Sequence, residues 1–160
     1  MNSYYDTGVF LKLYTAEPES NSVQEFVHAQ GERISLTDLH VSESVSALRL
    51  KAFRKECGEE ESTAAIDLLK NDVRAGIVRI VDVDWQHAWL ECRMISEQFA
   101  ARTGARTLDA LHVAVARLLG AKQFLTSDKR QSELAVCMGF PVINPSRKAE
   151  TACNAETLKT

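Results

Sequence analysis

Four acidic residues stand in places where a carboxylate needs a reason. Most of the 22 acids in the chain lie in polar stretches and read as solvated, Glu59, Glu60, Glu61, Asp67 and Asp72 among them. Asp6, Glu43, Asp109 and Asp128 do not. Asp6 follows the apolar "SYY" directly, and Asp128 follows "FLT" in the same way. Each is placed to cap a following helix, because Asp is a favoured N-cap. Glu43 lies inside a helical stretch, where capping cannot account for it. It shares a face with Leu39, Ala47 and Leu50 by i+3 and i+4 spacing, so it interrupts an apolar stripe. Its structural alternative is a place at the stripe's edge, with the carboxylate reaching solvent. Asp109 opens "LDALHVAVARLLG", a run that is apolar nearly all round and reads as a core helix. It too can cap, in competition with Thr107, and a helix N-terminus favours negative charge.

Together the four suggest chemistry that none suggests alone. Carboxylates within about 4–6 Å of one another repel, and some take up protons unless a cation joins them. An all-oxygen set suits a hard ion such as Mg²⁺ or Mn²⁺, which keeps waters and accepts phosphate oxygens. Sites of that kind serve phosphoryl transfer and phosphodiester hydrolysis.

The elements that would hold these residues alternate. "SYY", "RISL", "IVRIVDV", "KQFLT" and "PVIN" read as strands. Between them lie helical stretches. "TGVFLKLYTAE" reads as a helix stopping before Pro18. In "SNSVQEFVHAQG", Ser22 and Glu25 have capping-box spacing and Gly31 ends the run. "LHVSESVSALRLKAFRKEC" starts at a cap on Thr37 or Asp38 and is closed by Gly58. "EESTAAIDLLKNDVRAG", "DWQHAWLECRMISEQFAARTG", the Asp109 run and "DKRQSELAVCMG" complete the set. Strands separated by helices predict an α/β fold with a parallel sheet covered on both faces. Such sheets bind ligands at the carboxyl ends of their strands, where the strand order reverses. Asp6 and Asp128 fall at such ends.

Bulk properties set the frame. One hundred and sixty residues, 45% hydrophobic and 26% charged, suit a single globular domain. The net charge of −3 gives no global electrostatic case for nucleic acid, although clustered acids would themselves lower the total. Cys57, Cys92, Cys137 and Cys153 are far apart with no C-x-x-C pair, which argues against zinc. Three of them fall in predicted helices, and they read as reduced thiols of a cytosolic protein. The first residues lack the basic and apolar regions of a signal peptide, and no apolar run is long enough to span a membrane. The stretch 146–160 is poor in large apolar residues and reads as a tail beyond a domain of residues 1–145.

With their surroundings, the four acids resemble the PIN-domain ribonucleases, and most of all the VapC-type toxins of prokaryotic type II toxin–antitoxin pairs. The resemblance rests on "YYDTGVFLKLYTAEPE", "SLTDLHVSESVSALRL", "RTLDALHVAVARLLGA" and "FLTSDKRQSELAVCMGFPVI", in that order, and covers residues 1 to about 145. It implies a three-layer α/β/α sandwich with a central parallel sheet. It makes Asp6, Glu43, Asp109 and Asp128 the acidic metal site, with Thr7 and Thr126 at hydroxyl positions that support the acids. It further implies Mg²⁺- or Mn²⁺-dependent cleavage of RNA by a homodimer. The usual partner is a small antitoxin whose C-terminal segment covers the acidic site, often with an arginine. Two departures stand out. Gly8 occupies a place where related sequences often have serine, and Arg130 stands where some members have a further acid.

Other residues and readings remain open at this stage. His112, three residues after Asp109, reads as a packed helix histidine or as one reaching the site's edge. Lys12, Arg106, Lys129 and Arg130 are candidates for phosphate contact or for plain solvated charge. The "DTG" at residues 6–8 is the aspartic-protease signature, but that fold is mostly β and pairs two such aspartates. A haloacid-dehalogenase-like phosphatase would carry D-x-D, and residue 8 is glycine. A catalytically inactive PIN-like module that binds RNA or protein is the remaining alternative.

Overall fold

The computed structural model describes residues 1–146. Its strands are β1 (Ser3–Tyr5), β2 (Ser35–Leu36), β3 (Arg79–Ile80), β4 (Gln123–Leu125) and β5 (Val142–Ile143). Its helices are α1 (Thr7–Leu11), α2 (Ser20–Gln30), α3 (Asp38–Phe53), α4 (Glu59–Arg74), α5 (Trp85–Thr103), α6 (Thr107–Leu118) and α7 (Lys129–Cys137). All pairing is parallel. One ladder runs β1–β4–β5 and a second pairs β2 with β3. β1 also packs beside β2, so the strands lie in the order 3-2-1-4-5. From β1 the chain winds outward through β2 to β3, then crosses back to β4. The order therefore reverses between β1 and β4, where doubly wound sheets bind their ligands.

Neighbouring side chains on these strands point to opposite faces. Tyr4 and Phe124 enter a core built with Ala88, Cys92 and Ile95 of α5, the buried run of α6, and Leu134 of α7. Tyr5 and Leu125 enter the other core, with Val9, Phe10, Val23 and Leu69. Two cores on two faces of one set of parallel strands make the three-layer α/β/α sandwich. Helix α6 is buried without interruption from Ala110 to Ala116, which is why its sequence carries no polar stripe. At the end of α5, Gly104 takes the left-handed conformation (φ 67°), and the chain turns at once into α6.

Several elements are shorter or shifted relative to the sequence expectation. Helix α1 ends at Leu11 rather than running to Pro18, and the chain goes on in tighter i→i−3 turns from Lys12 to Tyr14. Thr15 then bonds back to the Leu11 carbonyl, and Ser20 caps the bend through Thr15 and Glu17. That use of Ser20 starts α2 two residues before the expected Ser22 box. Helix α3 stops at Phe53, and Lys55 has φ 61°, so Cys57 lies beyond the helix. Among the described residues only Cys92 and Cys137 are helical cysteines. Cys57, Cys92 and Cys137 are free thiols, and Cys153 lies outside the described residues. Strand β3 pairs over two residues of the expected seven, since β2 offers only two partners. Among the described residues no helix is long and apolar enough to cross a membrane.

Candidate active site

Asp6 is the N-cap of α1, and its extended backbone (φ −67°, ψ 161°) carries the chain from β1 into the helix. Its Oδ1 accepts the Val9 N–H at 2.6 Å and its Oδ2 accepts the Thr126 hydroxyl. The residue is 6% exposed. Burial pushes its carboxyl above the ordinary range, and nearby Asp128 pushes the same way. The Thr126 and Val9 hydrogen bonds and the His112 ring pull against them. Among the described residues no lysine or arginine forms an ion pair with Asp6.

Thr126 follows β4 directly and links two of the acids. It accepts the Asp128 N–H at 3.0 Å while donating its single proton to Asp6. Its Oγ1 also lies 2.8 Å from Oε1 of the buried Gln131, which shares that proton with Asp6. Asp128 caps α7, its Oδ1 accepting the N–H groups of Arg130 at 2.8 Å and Gln131 at 3.0 Å. Partial burial works against its charge, but those bonds and the Arg130 guanidinium, 3.5 Å from Oδ2, hold its carboxyl below the usual value.

Glu43 reaches the same region from α3. Its Oε2 accepts the Thr7 hydroxyl and His112 Nε2, each at 2.5 Å. Burial works against the charge, and the His112 and Thr7 contacts outweigh it, so its carboxyl sits below the ordinary value. The buried line of α3 is His40, Ser44 and Leu48, not the expected face of Leu39, Ala47 and Leu50. Leu50 is in fact 41% exposed. His40 sets this rotation. Its Nδ1 accepts from the Thr37 N–H (3.1 Å) and hydroxyl (2.8 Å), and its Nε2 donates to the Tyr5 carbonyl (2.9 Å). Held in that way, α3 carries Glu43 at the edge of the buried stripe.

Asp109 is the third residue of α6 rather than its cap, which is Arg106. Its Oδ2 reaches back to the Arg106 N–H at 2.8 Å. The i, i+3 spacing of Asp109 and His112 places both on one helix face, about 5–6 Å apart at Cβ. No described hydrogen bond joins Asp109 to the other three acids. Among the described residues no three His, Cys, Asp or Glu side chains stand close enough to hold an ion as they are.

Comparison with known proteins gives this arrangement a lineage. The PIN domain family model matches residues 3–136. The chain belongs to the PIN domain family. It is similar to Ribonuclease VapC46 of Mycobacterium tuberculosis, at 29% identity over 145 residues, 89% of this chain and 97% of that one. The crystal structure of FitAcB from Neisseria gonorrhoeae shares the fold with a TM-score of 0.63 at 17% identity, covering 91% of this chain and 98% of that one.

Within this PIN domain the remaining sequence candidates sort by position. Lys12 is nearly buried, donating to Ser146 Oγ at 2.9 Å and lying 3.7 Å from Glu19. Lys129 is exposed beside Glu133, and Arg130 borders Asp128. The Arg106 side chain is exposed, and its backbone N–H is engaged by Asp109. His112 is 3% exposed, yet it touches Glu43, so the two readings of it hold together. Sequence reasoning did not find Tyr4, whose hydroxyl lies 2.8 Å from His112 Nδ1, nor the clamp that His40 makes. A tyrosine in a strand and a histidine in a helix carry no local mark of such contacts.

Proposed function

We propose that this PIN domain is an endoribonuclease dependent on Mg²⁺, with Mn²⁺ able to substitute, and acts as the toxin of a type II toxin–antitoxin pair. The observation that carries the reading is Asp6: a buried carboxylate at the sheet's switch point with no lysine or arginine paired to it among the described residues. A charge in such a place needs compensation. Asp128 beside it and Glu43, reached through Thr7, are further oxygen donors, and Asp109 enters from α6. An all-oxygen set of this kind fits a hard divalent ion. When bound, the ion supplies a Lewis acid that offsets charge on the scissile phosphate and promotes attack by water.

The chain's own groups do the rest. Thr126 and the Val9 N–H fix both oxygens of Asp6, and Thr7 and His112 fix Glu43. Asp128 is the most solvent-exposed member of the Asp6–Glu43–Asp128 group and is placed to orient a water against the phosphodiester. Arg130, at the rim, offers its guanidinium to a phosphate oxygen in exchange for Asp128. By resemblance to VapC-type toxins, the protein works as a homodimer in the cytoplasm. Its partner is a small antitoxin whose C-terminal segment covers the acids.

The test is cleavage of total cellular RNA by the purified protein with Mg²⁺, Mn²⁺ or EDTA, beside the variant Asp6→Asn. Cleavage that needs the ion and vanishes in the variant supports the proposal. RNA binding without cleavage, and no calorimetric Mn²⁺ signal, replaces it with the inactive binding module.

A further inference from the structure

Beneath the acids lies a group of rings that packing alone does not explain. Tyr4, His40 and His112 form a triangle with ring centroids 5.0 to 5.8 Å apart, all nearly or fully buried. Three apolar side chains would fill that space without the cost of burying polar atoms. Here each ring spends one polar atom on a contact that leads toward the site. His40 donates to the carbonyl of Tyr5, the peptide that leads into Asp6, and His112 faces Glu43.

The hydrogen positions follow from counting donors. An ionised Glu43 only accepts, so the proton in the 2.5 Å contact sits on His112 Nε2. A neutral imidazole then has a bare Nδ1. The buried Tyr4 hydroxyl, 2.8 Å away and with no other described partner, donates to it. Tyr4 thereby selects the tautomer that aims an N–H at Glu43. Thr7 delivers a second donor to the same oxygen. Oε2 is thus occupied twice, and no described hydrogen bond reaches Oε1.

We infer that His112, with its tautomer set by Tyr4, is a positioning residue that works with Thr7 to pin Oε2 of Glu43 and leave Oε1 to meet a divalent cation. This rests on the metal-nuclease reading above and adds to it the atom of Glu43 that binds and the residue that presents it. Metal-binding carboxylates are commonly held by such outer partners, whose loss weakens affinity about 10–100-fold.

The experiment is calorimetric Mn²⁺ titration of the metal-stripped protein and the variants His112→Gln, His112→Asn and Glu43→Gln, with melting temperatures in EDTA. Glutamine places its amide nitrogen where Nε2 lies and keeps the donor to Glu43. Asparagine matches only the Nδ1 side and loses it. The expected result is a dissociation constant raised about 10–100-fold in His112→Asn and largely restored in His112→Gln. A packing role alone would move the melting temperatures of both and the Mn²⁺ affinity of neither.

If Glu43→Gln weakens binding and His112→Asn does not, the positioning role is overturned and the metal reading stands. If Glu43→Gln also binds Mn²⁺ like the wild type, Glu43 is not a ligand and the inference falls; a wild type that binds no Mn²⁺ removes the metal reading itself. Should His112→Asn fail to fold, Tyr4→Phe takes its place, and unchanged Mn²⁺ affinity there overturns the inference. A long-range ¹H–¹⁵N spectrum of the metal-free wild type gives an independent reading. A proton on His112 Nε2 is expected, and a proton-free Nε2 refutes the assignment.

Discussion

Asp109→Asn separates a helix-terminal acid from a metal ligand at the one position where the structure supplies only the former role directly. The described structural work of this carboxylate is a single bond to the Arg106 N–H in the first turn of α6. Asparagine keeps an oxygen for that bond and loses only the charge near the helix N-terminus, which costs about 0.3–1 kcal/mol. For a chain of this size that lowers the melting temperature in EDTA by about 1–4 °C. The effect on the ion is of another order. Mn²⁺ at about 100 times its dissociation constant stabilises the wild type by about 2.7 kcal/mol. Loss of a charged ligand weakens affinity at least as much as loss of an outer partner, about 10–100-fold. At the same Mn²⁺ concentration the variant then gains only about 1.4 to 0.4 kcal/mol. The Mn²⁺-induced rise in melting temperature should therefore fall to half the wild-type rise or less. Differential scanning calorimetry with and without Mn²⁺ measures both numbers in one series. A variant that melts slightly lower in EDTA but gains as much from Mn²⁺ as the wild type would show that Asp109 serves α6 alone.

Asp6→Asn should change the pH dependence of stability in EDTA. Burial holds the Asp6 carboxyl above its unfolded value near 3.9, so folding carries no penalty below that pH and a growing one as pH rises through the folded value. Urea unfolding at pH 4 and pH 7 should show the variant gaining on the wild type at the higher pH, and a gain for the wild type there would contradict the burial argument. Asp128 has the opposite sign: its bonds to α7 hold it below its unfolded value, so its stabilisation is present above about pH 4 and lost as pH falls further. Asp128→Ala removes a cap with two N–H partners and should cost about 0.5–2 kcal/mol at pH 7 by urea unfolding, more than Asp109→Asn. Gly8→Ser should fold normally, since an added Cβ meets Asp6 Oδ1 at an ordinary 3.5 Å, and a stability loss beyond about 1 kcal/mol by urea unfolding would mean the space is tighter than that.

Legibility in the sequence tracked how local each residue's constraint is. Asp6 and Asp128 were visible because a strand-to-helix junction is a local pattern, and each is at once a cap and a member of the acidic group. Glu43 was visible as an acid among apolar neighbours, but the buried face was set one residue away. That error has a physical origin in His40, whose bonds to Thr37 and to the Tyr5 carbonyl turn α3 by about one position. The partner atom lies 35 residues away, outside any periodicity window. Strand lengths failed for a similar reason. "IVRIVDV" has strand-forming residues throughout, but the ladder ends where β2 ends.

The same reasoning explains why the residues under the acids look unremarkable in sequence. A metal-binding carboxylate must be exposed enough to meet its ligand and fixed enough to avoid losing rotamer entropy on binding. Surface neighbours cannot supply that fixing, because water competes with them. Buried neighbours can, and in this fold the space under the switch point lies between β1 and α6. Side chains there must enter from the strand or from the core helix, and both have buried neighbours on either side. Tyr4, between Ser3 and Tyr5, and His112, between Leu111 and Val113, are therefore polar tips on core positions. Their role depends on which atom faces Glu43, and that is decided by the crossing from β1 to α6, 108 residues apart in the chain.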